Sequence, residues 1–566
     1  MVNPRLPILF LGLALPALLF LAGCEEEQFR PGTPAAVTRP TDEDEHAPQG
    51  ANEDRKVMLL RSVIQLIEDA ATTPGGKNLV TASDYLNEYF EGTKPEEYAL
   101  APETRAFLTE RKFSQGAMTD RERPRFDAQA DPLHVQDCLL YQAVATHAAG
   151  RGDDLTRVRR VFDWVSRNVL LVPPEFLSTP GVVYQAQARP YDVLVRGMAT
   201  EGDGAWTDKK EKGYWSERGW VFMVLCRQLG VDVGLVAITP QGAEKRQYWV
   251  CAALVDGKVY LFDHRLGVEV PAPDGRSVAT LDQVLEQPAL LDRLNHTGDE
   301  KWKYDISPSD LSGAKVEIAL DASPGYYTPR MRLLQRELAA RNRMVLFREP
   351  AAQAQAFQKA LGDRLAGVDL WLLPLEVEFR LFRDPQFVQS TLGPLRLYHP
   401  GLPLLGARLL QLRGETATAI QTYVSFRMNP NVVFEENKKK FPVPPEQLDA
   451  LNTTATYFLA LCQMENGAMG QAENLFEQTL KRTPEPKPGP PYVSLFHFGA
   501  VSNLGRLHED KGELEKAVAF YKRELPTPQM IGNLYRAGLL APKVAPEAPD
   551  EAKSSRPEIK PESKVP

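Results

Sequence analysis

The chain has 566 residues and a formal net charge of -8, with hydrophobic residues at 43% and charged residues at 25%. That length exceeds the usual size of a single core and predicts two or more domains. The acidic balance and the lack of any dense run of Lys and Arg exclude the electrostatic footprint of a nucleic-acid-binding protein.

In chain order, Arg5 precedes an apolar run from Leu6 to Phe20 that contains Pro16 and is short for a bilayer span, which reads as an export signal over residues 1–23. Leu21-Ala-Gly-Cys24 closes it and resembles the bacterial lipobox. The resemblance implies cleavage before Cys24 and acylation of that cysteine, which would hold the mature chain on an inner or outer membrane, facing the periplasm or the cell surface. The alternative is an ordinary signal peptide or an uncleaved anchor. Residues 24–55 are acidic and Pro-bearing without apolar period, so they read as a disordered tether. The Pro-, Glu- and Lys-rich stretch 541–566 reads as a disordered tail.

Over 56–130, apolar residues such as Leu59, Val63 and Leu66, then Tyr85, Tyr89 and Phe90, recur at helical intervals and predict a helical N-terminal region. Leu155, Val158, Phe162, Val165 and Val169 step by three and four behind Asp153 and Asp154, which predicts a capped amphipathic helix. Gly219 to Cys226 is apolar all round and is followed by Leu229-Gly230, the pattern of a buried central helix. Short β-rich runs follow at Val231–Ile238, Gln247–Val255 and Lys258–Phe262, the last two separated by the turn pair Asp256-Gly257. Helices followed by a hairpin indicate an α+β domain.

This order, ending in Tyr-Leu-Phe-Asp263, resembles the transglutaminase-like superfamily, whose core is the papain-like fold. The domain is assigned to 131–310. The family places a cysteine nucleophile in Gly-x-Cys at the start of the central helix, a histidine base in His-x-Trp on the first hairpin strand, and an aspartate at the end of the second. Here Gly213-Tyr-Trp215 puts Trp215 at the nucleophile position, and Gln247-Tyr-Trp249 puts Gln247 at the base position. Only Asp263 matches. Tryptophan has no nucleophile and glutamine cannot exchange a proton near neutrality, so the matched positions carry no catalytic residue. The expected remnant is a groove lined by Trp215, Gln247, Trp249 and Asp263. Two alternatives remain open at this point: Asp263 serves only to satisfy turn amides, or a displaced Cys226 or Cys251 acts as a thiol.

Besides Cys24 the cysteines are Cys138, Cys226, Cys251 and Cys462, each among apolar neighbours, and buried free thiols are expected. No HExxH, CxxC or clustered His and carboxylate spacing supports a metal, and no cofactor is expected. His134 and Cys138 share a helix face and read as packing.

Residues 311–400 read as a helical connector, with Thr328 as a cap, Pro329 at the first helical position, and Met331, Leu334 and Leu338 along one face. Over 401–540 three segments align: Ala419, Ala472 and Ala517 each precede an aromatic by four residues, at Tyr423, Phe476 and Tyr521, with Ala407, Ala460 and Gly505 twelve residues earlier. The pattern resembles tetratricopeptide repeats, with Pro-rich inserts such as Pro484–Pro491 lengthening the intervals, and implies a protein or peptide partner on a concave face. The combined expectation is a membrane-anchored, non-catalytic binding or scaffold protein of the cell envelope. The alternative is a thiol hydrolase or acyltransferase with a rearranged active site.

Overall fold

A computed structural model describes residues 49–73, 76–178, 188–205, 212–296, 302–339, 343–427, 429, 431–436 and 439–544. The lipobox, Cys24, most of the tether and the tail beyond 544 lie outside the described residues. No helix among the described residues is long and apolar enough to cross a membrane.

Helix α1 (Gln49–Ala70) begins inside the stretch expected to be a tether, and the last described helix (Gln529–Val544) continues past 541. Both helices extend because polar residues at the end of an apolar period still complete a helical turn. α1 pairs with α2 (Lys77–Tyr89), and Val63, Ile67 and Leu86 between them are fully buried. Next come α3 (Ala130–Ala149), α4 (Asp154–Asn168) and α5 (Pro190–Arg196). Asp153 caps α4 by accepting from Thr156 N–H at 2.7 Å, as the sequence predicts. A two-stranded antiparallel ribbon, β1 (Glu201–Ala205) and β2 (Lys212–Ser216), then leads into the buried helix α6 (Glu217–Gln228). Trp215 therefore sits in a strand two residues before the helix and does not open it.

The central sheet has six strands: β3 (Asp232–Thr239), β4 (Gln247–Val255), β5 (Lys258–Asp263), β6 (Val268–Glu269), β7 (Lys315–Asp321) and β8 (Gly367–Trp371). Their order is β8-β7-β3-β4-β5-β6, with β8 parallel to β7 and the other neighbours antiparallel. The Asp256-Gly257 turn joins β4 to β5 with φ of 49° and 72°, values that favour glycine and tolerate aspartate. β7 and β8 both fall within the stretch expected to be a helical connector. A boundary at 310 would cut the sheet, because short strands such as Lys315–Asp321 are specified by the neighbours they pair with and leave only a weak local signal.

The C-terminal half forms three antiparallel helix pairs and a final helix: α7 (Pro403–Leu412) with α8 (Thr416–Arg427), α9 (Pro445–Glu465) with α10 (Met469–Arg482), α11 (Phe496–Asp510) with α12 (Leu514–Tyr521), then α13 (Gln529–Val544). Ala407, Ala419, Tyr423, Ala460, Ala472, Phe476, Ala517 and Tyr521 all have zero exposure, and a side chain at Gly505 would meet the Tyr521 ring at 2.5 Å. The small residues thus admit the aromatic of each pair at close range.

These pairs do not stand apart. One hydrophobic core runs from α3, α4, α5 and α6 across one sheet face into α7, α9 and α11, while a second covers the other face with α1, α2 and the helices Pro329–Leu338 and Pro350–Leu361. Arg408 donates to the carbonyl of Leu194 at 2.8 Å, Asn503 to that of Arg167 at 3.1 Å, and Gln529 to that of Leu266 at 3.0 Å. The inner face expected to receive a partner is therefore largely occupied by the chain's own α/β region.

Candidate functional site

The start of α6 is held by buried polar groups. Ser216 Oγ accepts from Gly219 N–H at 3.1 Å and caps the helix. Glu217, fully buried, accepts from the N–H groups of Ala188 at 2.6 Å and Thr200 at 2.7 Å and pairs with buried Arg196. Arg196 in turn donates to the carbonyl of Met198 at 2.7 Å. Buried charges persist only when hydrogen bonds replace their hydration, and these contacts join α5, β1 and α6 into one rigid platform.

The four groove residues predicted from sequence do not share one wall. Trp249 donates Nε1–H to Tyr304 Oη at 2.8 Å, and Tyr304 donates to Asp263 Oδ2 at 2.6 Å, so these two meet through Tyr304 on the sheet face away from α6. Trp215 lies over Gly202 and directs Nε1 towards Thr200 Oγ1 at 3.3 Å. Gln247 is exposed at the start of β4. Asp263 accepts from the N–H groups of Arg265 at 2.9 Å and Leu266 at 3.0 Å, which is the turn-satisfying role. Burial opposes its charge, yet Arg265 and His264 hold the carboxyl below its ordinary range.

A different group meets at α6. Between Leu235↔Cys251 and Ala237↔Tyr248 the β3–β4 register shifts, so β4 carries one extra residue at Trp249-Val250. Because side chains alternate along a strand, that residue turns Tyr248 and Cys251 to the α6 face and Trp249 to the other. Strict alternation without that residue would put Gln247, Trp249 and Cys251 on one side. His264, one residue beyond Asp263, also faces α6, with its ring against Gly219. Its Nδ1 is 3.4 Å from Cys251 Sγ, and its Nε2 is 2.8 Å from Tyr214 Oη, which donates to Glu201 Oε1 at 2.6 Å. Tyr214 stacks on Tyr248 at 5.2 Å. Sequence reasoning named Cys251 but missed His264, Tyr214 and Glu201; the alternation of Leu261, Phe262 and Asp263 was the available signal for the direction of His264.

Cys251 and His264 are both buried. Burial opposes the imidazolium, but Cys251 and Glu201 outweigh it and lift His264 from 6.5 to about 10. Burial raises the Cys251 thiol despite the nearby imidazole. Near neutrality burial therefore keeps Cys251 as a thiol, and the closed arrangement presents no thiolate. Because His264 gains its proton on folding, its contribution to stability is full below its unfolded pKa of about 6.5 and is lost as pH rises towards about 10. Cys251, Tyr214 and Glu201 face it, and the raised thiol acts in the same direction at alkaline pH. Urea midpoints are expected to fall between pH 6.5 and 9.5, and His264→Gln to flatten that slope. An unchanged slope in the variant would remove His264 as its source.

Cys138, Cys226, Cys251 and Cys462 are all free and buried. Cys138 lies 3.6 Å from His134 Nε2 and also contacts Tyr326, which fits the packing reading. Glu473, His508 and Glu513 bring metal-type donor atoms together. Lys511 Nζ lies 2.7 Å from Glu473 and 2.8 Å from Glu513, so an ammonium already serves both carboxylates.

A further cavity lies elsewhere, at the junction of the α/β region and the repeats. Its volume is about 680 Å³, and it opens between α4, the segment around β6, the C-terminal ends of α9 and α11, and α13. A site of that size at a junction has the dimensions of a ligand pocket.

Neither a search of curated proteins nor one of solved structures finds a match to this chain. A family model described as tetratricopeptide repeat matches residues 500–528, and so the α11–α12 hairpin is a repeat of the class that mediates protein-protein contacts.

Proposed function

We propose that this chain is a membrane-anchored lipoprotein of the cell envelope. It binds protein partners without catalysis, through a degenerate transglutaminase-like domain and tetratricopeptide-like repeats. The observations that carry the reading are that the matched positions hold Trp215 and Gln247, and that near the start of α6 the Cys251 thiol is buried against His264. The repeat at 500–528 supports a protein partner, and Leu21-Ala-Gly-Cys24 supports attachment through Cys24.

A second reading, acyl transfer by Cys251, is favoured by its 3.4 Å approach to His264. One set of samples tests both. Labelled palmitate fed to cells is expected to enter the full chain and to be lost with Cys24→Ala; label retained in that variant sinks the anchor. Iodoacetamide at neutral pH is expected to modify all four internal cysteines slowly in the folded chain. Fast modification confined to Cys251, together with hydrolysis of a glutaminyl peptide that Cys251→Ala abolishes, would establish the enzyme instead.

A further inference from the structure

We propose that the junction cleft is a docking site for an acidic segment of a partner protein, whose carboxylates meet Arg159, Arg276 and Arg536 while an apolar side chain packs on Tyr535 and Leu539. The proposal rests on the protein-binding reading and names its surface and the chemistry of its partner.

Charge carries the argument. The whole chain has a formal net charge of -8, yet five arginines and four carboxylates line this cleft. Two more arginines lie buried beside it. Arg218 donates to Gln529 Oε1 at 2.7 Å and to the carbonyl of Ser166 at 3.0 Å, both neutral acceptors. Arg506 shares the carboxylate of Asp163 with Arg167, at 2.7 Å and 2.8 Å respectively, and Arg167 also holds Asp510 at 3.0 Å. The Nε atoms of Arg218 and Arg506 have no hydrogen-bond partner among the described residues. Burial, together with neighbouring guanidinium groups, lowers both, Arg218 to about 9 and Arg506 to about 10.

At the rim, Arg159 is bound to Glu269 by two hydrogen bonds at 2.8 and 2.9 Å but keeps 44% of its side chain exposed. Arg536 holds Glu509 at 2.9 Å, and Arg276 has no salt bridge among the described residues. Leu539 is 50% exposed on the same wall. A carboxylate entering here meets the exposed Arg276 guanidinium directly, and the Arg159 and Arg536 guanidinium groups beside the carboxylates that fix their positions. The cleft also lies where α9, α11 and α13 emerge from under the α/β region, so it is inner repeat surface left open.

The test uses the full chain in detergent and a fluorescein-labelled decapeptide of Glu and Leu, followed by anisotropy. Binding is expected to weaken with added salt and to exceed that of the matching Lys and Leu peptide. Arg276→Glu, and separately Leu539→Asp, are expected to lower affinity about tenfold or more without moving the unfolding midpoint. Equal binding of the two peptides, or unchanged affinity in both variants, would overturn the proposal. A rise in affinity when the chain is stopped after Val544 also overturns it, since the occupant is then the chain's own tail. Photo-crosslinkers in cells separate the two levels of the claim. Partners trapped from the outer faces of α10 and α12 but never from Leu539 remove the cleft and leave the binding reading standing. No partner trapped from either surface removes both.

Discussion

Gly532→Ala is expected to destabilise the protein, whereas Gly538→Ala, six residues along the same helix, is expected to be neutral or stabilising. A methyl group at Gly532 would lie 1.8 Å from the carbonyl oxygen of Leu266, whereas one at Gly538 would meet nothing within 4 Å. Alanine gains about 1 kcal/mol over glycine in a helix interior, and that gain stands alone at Gly538. At Gly532 it is opposed by overpacking, which costs about 3 kcal/mol and more when the obstacle is backbone and cannot rotate away. A net loss of about 2 kcal/mol is expected, together with displacement of α13 from the turn after β5. Thermal unfolding and limited proteolysis within Gln529–Val544 measure it. Equal behaviour of the two variants would mean that α13 is not docked on the α/β region as described. The same close contact predicts that repeats and sheet unfold in one transition, since they share a core.

The second large effect is expected at the start of α6. Glu217→Leu leaves buried Arg196 without its carboxylate and the N–H groups of Ala188 and Thr200 without their acceptor. Removing one partner of a buried pair costs about 3–5 kcal/mol. Arg196→Met should cost a similar amount, and the double variant much less than the sum, because no charge is then left unpaired. Urea unfolding of the four proteins closes the cycle. A loss below about 1 kcal/mol for either single variant would show that the pair is hydrated or replaceable.

Much of the local structure was legible because its causes are local. The cap at Asp153, the Asp256-Gly257 turn, the buried helix ending at Gln228 and the spacing of small and aromatic residues in the repeats are all written within a few positions of each other. The site was less legible. Strand parity could not reveal an extra residue at Trp249-Val250, which is visible only against the register of β3, and with it the side to which Cys251 turns. The resemblance puts Trp215 at a helix start, but Ser216 is the cap and the ribbon partner of Trp215, Gly202, draws it into a strand.

By itself the sequence determined the helices with local caps and a clear apolar period, the Asp256-Gly257 hairpin, and the tetratricopeptide character that the match at 500–528 supports. These follow from periodicity, residue chemistry and short-range hydrogen bonding. Only the tertiary structure decided that β7 and β8 complete the sheet, that Cys251 meets His264, and that the repeats spend most of their inner face on the chain's own α/β region. Each depends on partners distant in sequence. Burial favours any apolar surface that fits, and which surface fits is set by the folded geometry.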